Sequence, residues 1–348
     1  MNNNQAIKVL LQTYNTCFQN SSGGVNVRFN KIYNELLKHG VDVKKFDKYV
    51  DKVENFDVLH IFHLDLENLE LIKYAKRLGK KVVISSVVNI IGRKKLLFYR
   101  FINIFHLQTY FKNYRLALSL ADIIIAETPD EKKFIAKYYK INPDKIYVIP
   151  NGIDEFECQN ELIFDLWSGR KQEYVLQIGR FDKNKNQLNV IKAFRNSDVQ
   201  VVFVGGPSKA EPNYYKKCLK AANKSYNFHF LGWVDHESET FKSALFNASV
   251  LVLPSYMETF GMVLIEGAAA GASISISKTL PILKYKVFSN CPSFNPNNPN
   301  DIKCKTMTAL NHPQTKLKEQ VISFFSWDRI IKEHINIYNN LLGHVKNN

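Results

Sequence analysis

Apolar residues in this chain gather in short dense runs, separated by stretches where they return every third or fourth position. The first half holds IKVLLQTY at 7–14, DVLHIFHL at 57–64, KKVVISSVV at 80–88, ADIIIAET at 121–128 and DKIYVIPNG at 144–152. Helical periods fill 27–38, closed by Gly40, and 67–78, closed by Gly79. The same grammar restarts with EYVLQIGRF at 173–181 and runs through VQVVFVGG, NFHFLGWV, ASVLVLPS and ASISIS. Short β-rich runs alternating with helical periods mean parallel strands joined by crossover helices. The fold class is therefore α/β, as two doubly wound Rossmann-like domains with a boundary within 155–172. The end of the chain, 326–342, is helical, with Ile330, Ile331, Ile335, Tyr338, Leu341 and Leu342 at helical spacing.

Composition agrees with two soluble domains. The chain has 348 residues, long for one core, and 45 % apolar content excludes disordered and collagen-like classes. Five scattered cysteines with no C-x-x-C pair read as reduced thiols in a cytoplasmic compartment, neither a disulfide framework nor a zinc site. The opening MNNNQAIKVLLQTYN reads as a first strand, not a signal peptide. No stretch approaches the ~18 apolar residues of a membrane span.

Charge changes the picture. The formal net charge of +15 calls for an anionic partner. It is uneven: residues 86–115 carry Arg93, Lys94, Lys95, Arg100, Lys112 and Arg115 and no acidic residue. Apolar and basic residues interleave there, as in helices lying in a lipid headgroup layer, so Arg93, Lys94, Lys95 and Arg100 are expected to face an anionic membrane surface. The same stretch also reads as a basic core helix. Charge alone would suit nucleic acid, but no nucleic-acid module appears, and no specific nucleic-acid partner is expected.

In open parallel sheets ligands bind outside the carboxyl ends of the strands. Every unusual cluster follows a strand: Gly23-Gly24, 60–63, Asn151-Gly152, 180–185, Gly205-Gly206, and PSYMETFGMVLIEGAAAG at 254–271. Arg180 and Lys185 in GRFDKNKNQ can converge on a phosphate, although the stretch alone also reads as a solvated basic loop. SSGG at 21–24 offers bare amides before a helix, or is simply a turn. It is neither a G-x-G-x-x-G nor a P-loop. A helix beginning near Phe260 or Gly261 adds its free amides and positive end to the two cations, enough to hold a diphosphate. Glu258 and Glu266 flank that anion and suit vicinal hydroxyls, since a carboxylate accepts two hydrogen bonds, although the two also read as an ordinary surface acid and a helix-surface one. A diphosphate with a sugar on each side is a nucleotide-sugar.

These residues resemble the retaining nucleotide-sugar glycosyltransferases of family 4 (group 1), which have the GT-B fold of two Rossmann-like domains facing a central cleft. The likeness spans nearly the whole chain: GG at 23–24, IPNGID at 149–154, GR-x4-K at 180–185, VGG at 204–206, FLGWV at 230–234, E-TFGMVLIE-GAAAG at 258–271 and FSWDRIIKEHINIYNNL at the end. It implies an acceptor-side domain over 1–160, a nucleotide-sugar domain over 161–325, and a last helix, 326–348, packing back on the first.

By position, the resemblance implies that Arg180 and Lys185 neutralise the diphosphate leaving group, with no metal and no cofactor. Glu258 takes the donor hexose hydroxyls, and Thr259 and the amides of Phe260, Gly261, Met262 and Val263 lie along the sugar and phosphates. Glu266 takes the ribose diol, the backbone at Trp233 and Val234 the base, and Gly24 and Gly205 approach the donor. Glu258, Arg180 and Lys185 carry catalysis, which is stabilisation of leaving-group charge with retention at the anomeric carbon. Two departures stand out. Ser86 lies where many relatives have a histidine; His63 is the candidate substitute, or else a structural histidine. The frequent G-x-P-E is TLPILKY here, retaining Pro281 but not the glutamate. The expected reaction moves a hexose from a nucleotide-sugar, UDP favoured, to a lipid-linked glycan acceptor for a bacterial surface polysaccharide or glycolipid. The expected place is the cytoplasm, either free there or peripheral on the inner face of the membrane. A soluble sugar or protein acceptor, and an inactive homologue serving as a scaffold, are the alternatives.

Overall fold

The computed structural model describes residues 7–14, 17, 24–86, 88, 110–154, 173–223 and 225–343. Arg93, Lys94, Lys95 and Arg100 lie outside the described residues, as does the linker 155–172. The chain divides into two compact units, Met1–Gly152 with Trp327–Asn348, and Ile153–Ser326.

In the first unit, strands β1 (Lys8–Gln12), β2 (Asp42–Lys45), β3 (Val58–Phe62), β4 (Lys81–Ser85), β5 (Ile123–Ala126) and β6 (Ile146–Val148) form one sheet in the order β2-β1-β3-β4-β5-β6. Every neighbouring pair is parallel. Helices α1 (Gly24–Lys38), α2 (Leu66–Arg77), α3 (Tyr110–Leu120) and α4 (Pro129–Tyr138) cover it together with the C-terminal helix Trp327–Leu342. The two-residue strand period sorts the core into two layers. Val9, Leu11, Val58, Phe62 and Val83 pack under Phe29, Ile32 and Leu36 of α1 and Trp327, Ile331 and Tyr338 of the C-terminal helix. Leu10, Leu59, Ile61, Val82 and Ile84 pack on the other face under Ile72 of α2, Leu118 of α3 and Ile135 of α4. Helix starts are fixed locally. Asp65 accepts from the Asn68 amide at α2, and Thr128 accepts from the Glu131 amide at α4.

The second unit repeats the plan. Strands β7 (Tyr174–Ile178), β8 (Gln200–Val204), β9 (Phe228–Phe230), β10 (Val250–Leu253), β11 (Ser273–Ser277) and β12 (Ser293–Phe294) lie in the order β12-β11-β10-β7-β8-β9. All of its pairs are parallel too. Helices α5 (Gln187–Phe194), α6 (Pro212–Ala222), α7 (Glu239–Phe246), α8 (Met262–Ala270), α9 (Pro299–Asn311) and α10 (Leu317–Phe325) surround it. The chain walks β7-β8-β9 to one edge, then β10 returns to the far side of β7. That reversal is the topological switch point where open sheets bind ligands. In the first unit the reversal falls between β1 and β3. Among the described residues no helix is long and apolar enough to cross a membrane.

Candidate active site

The loops leaving β7 and β10 emerge side by side at the switch point of the second sheet, and amide side chains tie them together. Asn184 brackets Met257, donating from Nδ2 to its carbonyl at 2.8 Å and accepting its N–H at Oδ1 at 3.0 Å. Asn186, buried and left-handed at φ 59°, donates to the carbonyls of Pro254 (3.2 Å) and Pro296 (2.8 Å). Asn is one of the few residues that tolerates such a φ. Within the first loop, Asp182 accepts the Lys185 amide at Oδ1 and Arg180 Nε–H at Oδ2, both at 2.9 Å. Gln177 holds the Lys185 carbonyl at 2.8 Å.

This scaffold sets Lys185 Nζ 2.7 Å from Glu258 Oε1, their side chains only 22 % and 15 % exposed. Arg180 extends outward, 58 % exposed, and its ion pair is with Asp182. Arg180 and Lys185 thus rise from one loop, each with its own carboxylate.

The helix after Glu258 begins at Met262, with Gly261 as its N-cap in a left-handed conformation (φ 96°) that demands glycine. The Leu264 amide closes a turn on the Gly261 carbonyl at 2.9 Å. The amides of Met262 and Val263 precede the first intrahelical bond, so they point out of the helix end as anion donors. Thr259 is exposed. The Phe260 side chain is a core residue, edge-on to Tyr285 and Phe325, so only its backbone faces the loop. Gly267 lets α8 lie directly on β10, for a Cβ there would fall 2.7 Å from Leu251 Cδ1.

Glu266, one turn into α8, meets a residue that sequence reasoning missed. His236 Nε2 lies 3.1 Å from Glu266 Oε1, and this hydrogen bond pushes the imidazole pKa up to about 9. No spacing announces that pair; it exists because a parallel sheet brings the loop after β9 and the helix after β10 to one edge. Asp182, Asn184 and Asn186 were likewise invisible as organisers, although all sit inside the stretch containing Arg180 and Lys185. Val234 is half-buried in the same loop as His236, and Trp233, 65 % exposed, lays its indole over Gly206. Gly205 has a structural reason to be glycine: its φ is 131°, and a Cβ would sit 2.2 Å from the Gly179 carbonyl oxygen.

In the first unit, Gly24 opens α1 and His63 follows β3 at that sheet's switch point. His63 is left-handed (φ 62°) and edge-on to Tyr14, with ring centroids 5.2 Å apart. Burial pushes its pKa down, and its Nδ1 has no hydrogen-bond partner among the described residues. Ser86 is fully buried and donates to Glu131 at 2.9 Å. Glu131 also accepts the Val88 and Glu127 amides, while burial and then the Glu127 charge push its pKa up to about 7. Glu127 in turn takes Arg28 at 2.5 Å. This buried polar knot, unseen in the sequence, anchors the carboxyl edges of β4 and β5.

The architecture is the GT-B fold. It superposes on a sucrose-phosphate synthase of Thermosynechococcus elongatus with a TM-score of 0.74 at 17 % identity, covering 97 % of this chain and 100 % of that one. It superposes equally, at 0.74 and 14 % identity, on Anabaena HepE in complex with UDP, covering 96 % of this chain and 100 % of that one. Residues 159–320 match the family model described as Glycosyl transferases group 1, and residues 23–155 the one described as Glycosyltransferase Family 4. The chain belongs to the family 4, group 1 glycosyltransferases. An uncharacterized glycosyltransferase of Methanocaldococcus jannaschii is 25 % identical over 236 residues, 62 % of this chain and 59 % of that protein. A D-inositol 3-phosphate glycosyltransferase of Corynebacterium diphtheriae is 26 % identical over 186 residues, 47 % of this chain. The chain thus spans 59 % and 42 % of the lengths of these two relatives. A processive diacylglycerol alpha-glucosyltransferase of Acholeplasma laidlawii is 25 % identical over 260 residues, 70 % of this chain and 72 % of that protein.

Proposed function

We propose that the chain is a retaining, metal-independent hexosyltransferase. It moves a sugar from a UDP-sugar to a lipid-linked glycan acceptor in surface polysaccharide or glycolipid synthesis, at the cytoplasmic face of a membrane. The observation that carries this is the grouping of Lys185, Glu258 and the α8 amides at the switch point of the second sheet, with Arg180 on the same loop and Glu266 further along α8. UDP in the complex of a structural neighbour supports the nucleotide. A diacylglycerol-glycosylating relative and the basic stretch at 86–115 support the lipid acceptor.

In this reading the acceptor oxygen attacks the anomeric carbon from the face the leaving group departs. The new C–O bond forms as the bond to the β-phosphate breaks. Its electron pair and the acceptor's proton go to that phosphate oxygen. Arg180, Lys185 and the α8 amides stabilise the charge that collects there, the largest contribution such a site makes. Glu258 holds the hexose hydroxyls, Glu266 the ribose diol, and the backbone near Val234 the base. Gly24 and His63 belong to the acceptor-side unit.

The test is calorimetric binding of UDP, GDP and their sugars to wild type and Glu266→Ala, followed by NMR of the product's anomeric configuration. One nucleotide bound by wild type and lost in the variant, with retained configuration, is the expected result. A folded wild type that binds no nucleotide would make the chain a scaffold.

A further inference from the structure

We infer that the Lys185–Glu258 ion pair is a latch that reads the completeness of the donor: it opposes the bare nucleoside diphosphate and yields to the intact nucleotide-sugar. The inference rests on the donor reading above and concerns how the same site tells substrate from product.

The two groups that are to receive different parts of the donor hold each other in the empty site, Nζ to Oε1 at 2.7 Å. Neither backbone is free to drift apart. The Lys185 amide and carbonyl are held by Asp182 and Gln177, and the residue before Glu258 is bracketed on both sides by Asn184. Both side chains are mostly withdrawn from water, so an unpaired charge here is poorly solvated and interacts strongly with its neighbours.

A nucleoside diphosphate draws Lys185 toward its phosphates. Glu258 then stays in the same small space as a carboxylate beside a diphosphate, with its counterion shared or lost. An attached hexose removes that conflict, because its hydroxyls donate to Glu258 and replace the ammonium as hydrogen-bond donors. The exchange is balanced for the nucleotide-sugar and one-sided for the diphosphate left after transfer. Arg180 carries no such penalty: it is mostly exposed, and its fork can meet the phosphates while its Nε stays on Asp182. The pair therefore favours release of product over its retention.

The test reverses the usual expectation for a ligand-binding carboxylate. UDP and a panel of UDP-hexoses are titrated calorimetrically into wild type, Glu258→Gln and Glu258→Ala. Both substitutions are expected to bind UDP more tightly than wild type, by roughly three- to thirty-fold, the range that a partly buried ion pair corresponds to. Both are expected to bind the preferred UDP-hexose more weakly, so the ratio of the two affinities inverts. UDP affinity unchanged or weakened in both variants overturns the latch. Tightening in Glu258→Gln alone overturns it too, because the new amide would then be donating to phosphate. If wild type binds UDP in neither form, the donor reading itself fails, a different result from any of these.

Discussion

His236 Nε2 stands 3.1 Å from Glu266 Oε1, so the carboxylate at the head of α8 is one half of an ion pair at neutral pH. The glutamate side chain is largely buried, while the histidine sits in a loop open to solvent. Of the carboxylate's roughly four lone-pair positions the imidazolium takes one, which leaves enough for a diol. The histidine thus fixes the orientation of Glu266 and cancels a charge that would oppose a bound diphosphate.

The pH consequence has a definite sign. The pKa of His236 is raised from 6.5 to about 9. What the pair adds to stability is complete below 6.5 and is lost as pH rises through about 9. Nucleotide affinity should follow the same course. We expect UDP binding by wild type to weaken as pH passes about 9. We expect His236→Gln, which keeps a donor but no charge, to show no such inflection and to bind about two- to ten-fold more weakly at neutral pH. Calorimetric titrations across pH decide it; an inflection surviving in the variant would assign it to another group.

Gly205 and Gly206 look interchangeable in VGG, yet the structure separates them. A Cβ at Gly205 meets a backbone oxygen, that of Gly179, at 2.2 Å in a left-handed conformation. A Cβ at Gly206 first meets the Trp233 indole, a side chain that is mostly exposed and not backbone. Gly205→Ala is expected to destabilise by about 2–4 kcal/mol, through strain plus a backbone clash. Gly206→Ala is expected to cost less than about 1 kcal/mol and to show instead as a changed Trp233 fluorescence. Thermal melting of the two variants checks the order, and equal losses would contradict it.

The α/β class was legible because strands buried on both faces write themselves as continuous apolar runs, IIIA at β5 and VLVL at β10 among them. The terminal helix was legible from Ile330, Ile331 and Tyr338 at helical spacing, and those side chains pack against the first sheet. Arg180, Lys185, Glu258 and Glu266 stood out because their loops follow such runs. What stayed hidden needs three dimensions. Lys185 is 73 residues from Glu258, and His236 is 30 from Glu266. Phe260 shows the limit within a motif: its place in TFGM gives no sign that its ring belongs to the core.

The buried His334 gives an acid-side prediction in the first unit. Its Nδ1 pairs with the Ile330 carbonyl at 2.9 Å, and its Nε2 has no partner among the described residues. Burial first, and then nearby Arg28, lower its pKa from 6.5 to about 4. The unfolded chain therefore takes a proton that the folded chain refuses, so stability present above 6.5 is lost as pH falls toward about 4. The full difference is about 3 kcal/mol at about 1.4 kcal/mol per decade of pH. Glu131, raised to about 7, acts in the opposite sense by taking up its proton in the folded state. The quantity to measure is thus wild type minus His334→Leu in chemical denaturation at several pH values. We expect that difference to shrink by a few kcal/mol between neutral pH and about 4. A pH-independent difference would mean that His334 titrates alike in the folded and unfolded chains, and a difference that grows toward about pH 4 would mean that the fold holds it protonated.

If Arg180 is the catalytic cation proposed above, loss of Asp182 should resemble loss of that cation. Asp182 is buried, and its two oxygens serve two masters, the Arg180 guanidinium and the Lys185 amide. Asp182→Asn keeps the acceptor for the amide but turns an NH2 toward the guanidinium, two donors face to face. Arg180 then loses its anchor, and a mobile arginine is a poorer stabiliser of leaving-group charge than a fixed one. We expect kcat/KM to fall about ten- to a hundred-fold with the melting temperature nearly unchanged. Arg180→Lys should cost a similar factor, since an ammonium cannot reproduce the fork. If Asp182 acts through Arg180, the double variant should be little worse than either single one. Full additivity would place the role of Asp182 in the Lys185 turn instead.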